Sequence, residues 1–114
     1  MSSHALERRD AARLTHIVGA CERIEHYCST GRSSLDDHRT YDAVLHCLTV
    51  IGEALGALSD DAYARLGSVP ANIPKAQRNL IVHEYWRVDP EIIWATVERA
   101  IPALRVDATA ALGT

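Results

Sequence analysis

Two stretches of this chain repeat apolar residues at steps of three and four, the spacing of a helix with one buried face. The first is Leu14, Ile17, Val18, Cys21, Ile24 and Cys28. The second is Tyr41, Val44, Leu45, Leu48, Ile51, Leu55 and Leu58. The first predicts a helix from about Leu6 to Cys28, with Gly31 at its C-terminal cap. Arg8, Arg9, Arg13 and Arg23 lie mainly off its stripe and read as a solvated face. The second predicts a helix starting near Ser34, where Ser34 and Asp37 have the spacing of a capping box.

Two further helices are marked by their start signals. Pro74 suits a first helical turn and opens a stretch reaching about Trp86. Asp89, Pro90 and Glu91 are three consecutive start signals for a last helix, with the stripe Trp94, Val97, Ile101 and Leu104. Pro102 falls near the end of that stripe and is expected to kink it. Residues 105–114 are expected to form a frayed tail. Ser59, Asp60 and Asp61 cap a short helical turn that ends by Gly67. Pro70 and Pro74 forbid a regular helix through the break between them. The reading is a single all-α domain over residues 1–114, an up-down four-helix bundle with a short extra helix.

Composition narrows the function. The formal charge is −3 and 47% of residues are hydrophobic. That balance does not suit a protein that coats nucleic acid nonspecifically. Lys75, Arg78 and Arg87 against Glu84 leave a local positive excess, so any RNA binding there should be focused. No apolar run approaches membrane-spanning length. The first residues lack the apolar core of a signal peptide, so a cytoplasmic protein is expected. Cys21, Cys28 and Cys47 form no CxxC pair and read as reduced thiols, and Cys21 and Cys28, on the apolar face of the first helix, as buried small hydrophobes.

The chemistry concentrates in Arg78-Asn79-Leu80-Ile81-Val82-His83-Glu84-Tyr85. An Arg, an Asn, a His and a Tyr sit here among apolar neighbours. Such groups on a packed helix make interface hydrogen bonds or line a cleft. Asn79 and His83 share one face. Arg78 and His83 are roughly 140° apart around a regular helix. One helix does not aim both at one atom, but two copies of it packed together could. A second polar stripe, His38, Asp42 and His46, recurs at steps of four. Its readings are a metal site lacking further ligands, a groove lining, or solvated surface, the last favoured. Gly52 and Gly56, also four apart, suggest close approach of another helix.

The Arg-to-His spacing, with the Asn after the Arg and the Tyr after the His, resembles the motif of HEPN-domain toxins of the HepT-like branch. The blocks Tyr41-Asp42-Ala43-Val44-Leu45 to Ile51-Gly52-Glu53-Ala54-Leu55, and Val88-Asp89-Pro90-Glu91-Ile92-Ile93-Trp94, resemble that branch's second and last helices. Ala71 and Pro74 depart from the family pattern. The resemblance implies the toxin of a type VII-like toxin–antitoxin pair, a dimeric, metal-independent endoribonuclease with Arg78 and His83 catalytic at the homodimer interface. It also implies a minimal nucleotidyltransferase antitoxin that transfers AMP to Tyr85.

The residue chemistry agrees with that implication. RNA carries its own nucleophile, the ribose 2′-hydroxyl. Cleavage needs an acid, a base and positive charge at the phosphate, and no metal or other cofactor. His83 suits proton transfer near neutral pH. Arg78 suits the charge that builds on the phosphate oxygens. Asn79 could fix the imidazole, and Glu53 is expected to orient Arg78. Trp86 and Trp94 read as packing anchors. A second reading is a helical partner subunit that holds a nucleotide without hydrolysing RNA. A third is a bundle whose polar motif only sets dimer register.

Overall fold

The computed structural model describes residues 6–67 and 89–113. The helix predicted from Pro74 to Trp86, the break before it, and Trp86 itself lie outside these residues. The described part is entirely helical, with no strand among its residues. Helix α1 spans Arg8–Tyr27, a 3-10 turn spans Arg32–Asp36, α2 spans His38–Ala57 and α3 spans Asp60–Ala64. The last helix, α4, runs as Pro90–Ala95, a π turn over Thr96–Ala100, and Ile101–Gly113. Helix α1 packs along both α2 and α4.

The predicted stripes are the buried faces. Leu14, Ile17, Cys21 and Ile24 of α1 meet Val44, Leu48, Ile51 and Leu55 of α2, all essentially without exposure. Ile93, Ile101, Leu104 and Ala108 of α4 close the same core. Each such Leu or Ile contributes about 1.5–3 kcal/mol by leaving water. Trp94 is half-buried and packs against this cluster. Cys21 and Cys28 are buried free thiols, as read from the sequence, and Cys47 is a third. Burial, then the neighbouring Glu25, pushes the Cys21 thiol up to about 12, which leaves no thiolate for chemistry at neutral pH.

Four expectations need correction. Helix α1 ends at Cys28, whose N–H bonds Ile24 O, three residues before Gly31. Gly31 does take a positive φ of 92°, but as the residue that starts the 3-10 turn. Helix α2 starts at Asp37, not Ser34. The Asp37 carboxylate accepts from Thr40 N at 2.9 Å, while Ser34 is buried in the 3-10 turn and shares a hydrogen bond with the Thr30 hydroxyl. A carboxylate free to reach an open N–H outcompetes a hydroxyl already engaged.

The other two concern the C-terminal segment. Residues 105–113 are helix rather than a frayed tail, and Ala108 and Ala111 are buried in the core. Arg105 reaches back to α1, its Nε donating to Glu25 Oε1 at 2.6 Å. Pro102 therefore sits inside the helix. A regular turn would drive its ring into the carbonyl four residues earlier. The π turn just upstream, closed by Ile101 N–H to Thr96 O, inserts the extra residue that relieves the clash. On α2, Gly52 is buried and Gly56 exposed.

The start signals read from Ser59 and Asp89 hold. Ser59 Oγ accepts from Ala62 N, and Asp89 Oδ1 accepts from Glu91 N. Ser59 is itself held by a buried carboxylate. Asp10 of α1 accepts from Ser59 N at 3.0 Å and from Ser59 Oγ at 2.6 Å. These bonds hold the Asp10 carboxyl below its ordinary value. The group is charged in the folded chain at lower pH than in the unfolded one. Its stabilisation is complete above the unfolded value of 3.8 and is lost as pH falls through the lowered folded value. Asp10→Asn is expected to lower stability at pH 7 by about 1–3 kcal/mol and to flatten the loss below pH 4. Denaturant melts of both proteins from pH 2 to 7 check this. Parallel acid limbs would refute it.

Candidate functional site

Arg78, Asn79, His83 and Tyr85 lie outside the described residues. What the structure shows is how the chain that carries them is held at both ends. On the upstream side, Ser59 caps α3, Leu66 is buried, and Gly67 turns the chain at a φ of 67°. Gly67 packs so closely on α4 that a Cβ would stand 3.3 Å from Asp107 Oδ2. A residue with a side chain there would be strained by conformation as well as by crowding.

On the downstream side, Asp89 caps α4. Within that first turn, Glu91 is gripped by the Arg32 guanidinium, with Nε donating to Oε1 at 3.3 Å and Nη2 to Oε2 at 2.5 Å. This pair fixes the start of α4 to the 3-10 turn. It depresses the Glu91 carboxyl and raises Arg32. Both termini of the motif-bearing stretch are thus fixed to the α1–α2–α4 core. That is the support a catalytic segment needs if its groups are to stay in place.

Glu53 is the one predicted site residue within the described part. It stands exposed on α2 and lines a groove of about 340 Å³ between α1 and α2. Arg13 and His16 form the α1 wall. Thr49, Val50 and Ala57 continue the α2 wall. The Thr49 hydroxyl donates to Leu45 O, one turn back on the same helix, at 3.0 Å. The groove therefore faces a guanidinium and an imidazole across from a carboxylate, over a partly apolar floor. Sequence reading missed Arg13 and His16 as site neighbours. The signal available was their position at the edge of the α1 stripe, where a side chain borders the next helix.

His38, Asp42 and His46 are all exposed on α2. No group of three metal-binding side chains occurs among the described residues. The solvated-surface reading fits the exposure. Among the described residues no helix is long and apolar enough to cross a membrane.

A family profile described as ribonuclease HepT-like matches residues 17–110. The probable ribonuclease HepT of Thermococcus cleftensis is 31% identical over 94 residues, covering 81% of this chain and 86% of that protein. A candidate RNase of Caldanaerobacter subterraneus subsp. tengcongensis is 34% identical over 93 residues, covering 80% of this chain and 83% of that protein. A Methanocaldococcus jannaschii protein named both as a gamma-glutamylcyclotransferase and as a candidate RNase is 30% identical over 96 residues. The match covers 81% of this chain but only 42% of that longer protein. No solved structure matches at a significant level. The profile takes in α1 from Ile17, all of α2 and α3, the Arg78–Tyr85 motif and nearly all of α4, so the chain belongs to the ribonuclease HepT-like family.

Proposed function

We propose that the protein is the ribonuclease toxin of a toxin–antitoxin pair, a metal-independent endoribonuclease that acts as a homodimer. The observation that carries the proposal is the Arg78–His83 motif lying inside the span matched by a ribonuclease family. His83 moves the proton of the ribose 2′-hydroxyl or of the leaving oxygen. Arg78 neutralises the charge that builds on the phosphate oxygens. Asn79, on the His83 face of a helix, steadies the imidazole, and Glu53 orients Arg78. Pairing two copies overcomes the angle between Arg78 and His83 on one helix. RNA supplies the nucleophile, so the chemistry calls for no metal.

The regulatory half of the proposal is AMP transfer to Tyr85 by a minimal nucleotidyltransferase antitoxin. An adenylyl group is bulky and anionic. Two residues from His83, it would block an anionic substrate by size and by like charge. Intact mass should show one adenylyl addition after incubation with such an enzyme and ATP. The same addition on Tyr85→Phe protein would place the modification elsewhere.

The direct test incubates purified protein with RNA in excess chelator and, separately, with ATP. RNA breakage is expected in chelator. Intact RNA together with ATP binding would replace the nuclease with a nucleotide-holding partner subunit.

A further inference from the structure

One side of α1 carries positive charge from residues outside the Arg78–Tyr85 motif. Arg9, Arg13, His16 and Arg23 fall within a sector of about 80° on this helix, and no acidic residue shares it. Tyr27 falls in the same sector, exposed at the end of the helix. From Arg9 to Tyr27 the sector runs about 27 Å along the axis. Arg9, His16 and Arg23 are exposed and Arg13 is half-buried. None of the three arginines makes an ion pair among the described residues. The Arg23 side chain folds back along the helix, its Nη1 3.7 Å from where a Gly19 Cβ would stand.

The opposing charges are few. Asp10 lies within electrostatic reach of Arg9 and Arg13, but both its oxygens are committed to Ser59 and it is buried. Glu53 stands on the α2 wall of the groove, across from Arg13 and His16, and Asp42 lies further along α2. The positive charge is therefore one-sided. It forms a ridge along α1 beside a groove, on a chain whose net charge is −3. A local positive stripe on an acidic protein attracts a polyanion to one line rather than to the whole surface. A charged track with an exposed aromatic along it is the arrangement that follows a single-stranded backbone and stacks a base.

We propose that this α1 ridge is a binding track for single-stranded RNA, with Arg9, Arg13 and Arg23 on successive phosphates and Tyr27 under a base. The inference rests on the ribonuclease reading for the identity of the polyanion. It extends the substrate contact to α1 side chains, none of which belongs to the Arg78–Tyr85 motif.

The test measures binding of a fluorescent single-stranded oligoribonucleotide to His83→Ala protein, so that the RNA survives, across a salt series. The triple variant Arg9→Gln, Arg13→Gln, Arg23→Gln in that background is expected to bind at least about tenfold more weakly. Its dependence of log affinity on log salt should flatten by about 2, near 0.7 for each phosphate no longer neutralised. A triple Arg→Lys variant should recover most of both, and Tyr27→Ala should weaken binding without changing the salt slope. A folded triple Gln variant with the affinity and slope of its parent overturns the proposal. So does a triple variant that keeps RNA but loses a nucleotidyltransferase partner, which would make the ridge a protein-docking surface. Parent protein that binds the RNA along this ridge but never cuts it would sink the nuclease reading alone. Parent protein that cuts RNA while the ridge variants bind normally would sink only the track.

Discussion

Replacing His83 with alanine is expected to slow RNA cleavage by about two to four orders of magnitude, the usual contribution of a positioned acid or base. Arg78→Ala is expected to cost about 10²–10³ by removing charge from the phosphate. Both variants are expected to keep the helical fold, because the α1, α2 and α4 core supplies the apolar burial of the described residues. The loss should fall on the rate at saturating RNA more than on binding. Single-turnover cleavage by purified variants, beside their circular dichroism, makes the measurement. If folded His83→Ala protein cuts at the parental rate, the catalytic assignment is wrong. If both substitutions change only the oligomeric state, the motif sets dimer register instead.

The second large effect lies at the other end of the molecule. Ala108→Asp is expected to unfold the domain or to lower its melting temperature by roughly 15–20 °C. Ala108 has no exposure and sits in the common core. A carboxylate there would be buried without a partner, at a cost of several kcal/mol against a total stability of about 5–15 kcal/mol. Thr109 and Ala110, the next two residues of the same helix, are exposed and take no part in that core. Ala110→Asp, on the solvent side, is therefore the control, expected within about 0.5 kcal/mol of the parent. Thermal melts of the two variants decide it. Equal melting temperatures would mean that the end of the chain does not pack as described.

That contrast also shows what could be read from the residues and what could not. The stripes of α1 and α2 were legible because Leu, Ile and Val mark a face whenever they recur with the period of the helix. The starts at Ser59 and Asp89 were legible because a short polar side chain before an acidic turn has few other uses. The end of α4 was not, because its inward residues are Ala108 and Ala111. Alanine reads as neutral in a sequence and becomes core only where a neighbouring helix comes close.

The start of α2 was misplaced for a different reason. Ser34 and Asp37 both suit a cap, and the choice between them turned on a hydrogen bond to Thr30 that no spacing rule shows. The continuation of α4 through Pro102 depended on a π turn, a local repair invisible to a periodic pattern. The groove depended on tertiary packing. Arg13 and His16 line it from α1 and Glu53 from α2, so no single helical period brings them together. The Arg78–Tyr85 motif is the reverse case: its residues are adjacent in sequence, so the chemistry proposed for it is argued without a fold.

The central claim is that the substrate's own 2′-hydroxyl attacks the phosphodiester with only protein side chains assisting. It is tested most directly with an RNA carrying a single 2′-deoxy substitution at a mapped cleavage site, digested in excess chelator. The account predicts that the unmodified RNA is cut there and that the deoxy RNA is intact at that one position. Cutting of the deoxy position at the normal rate, or loss of all cutting when metal is removed, would contradict it.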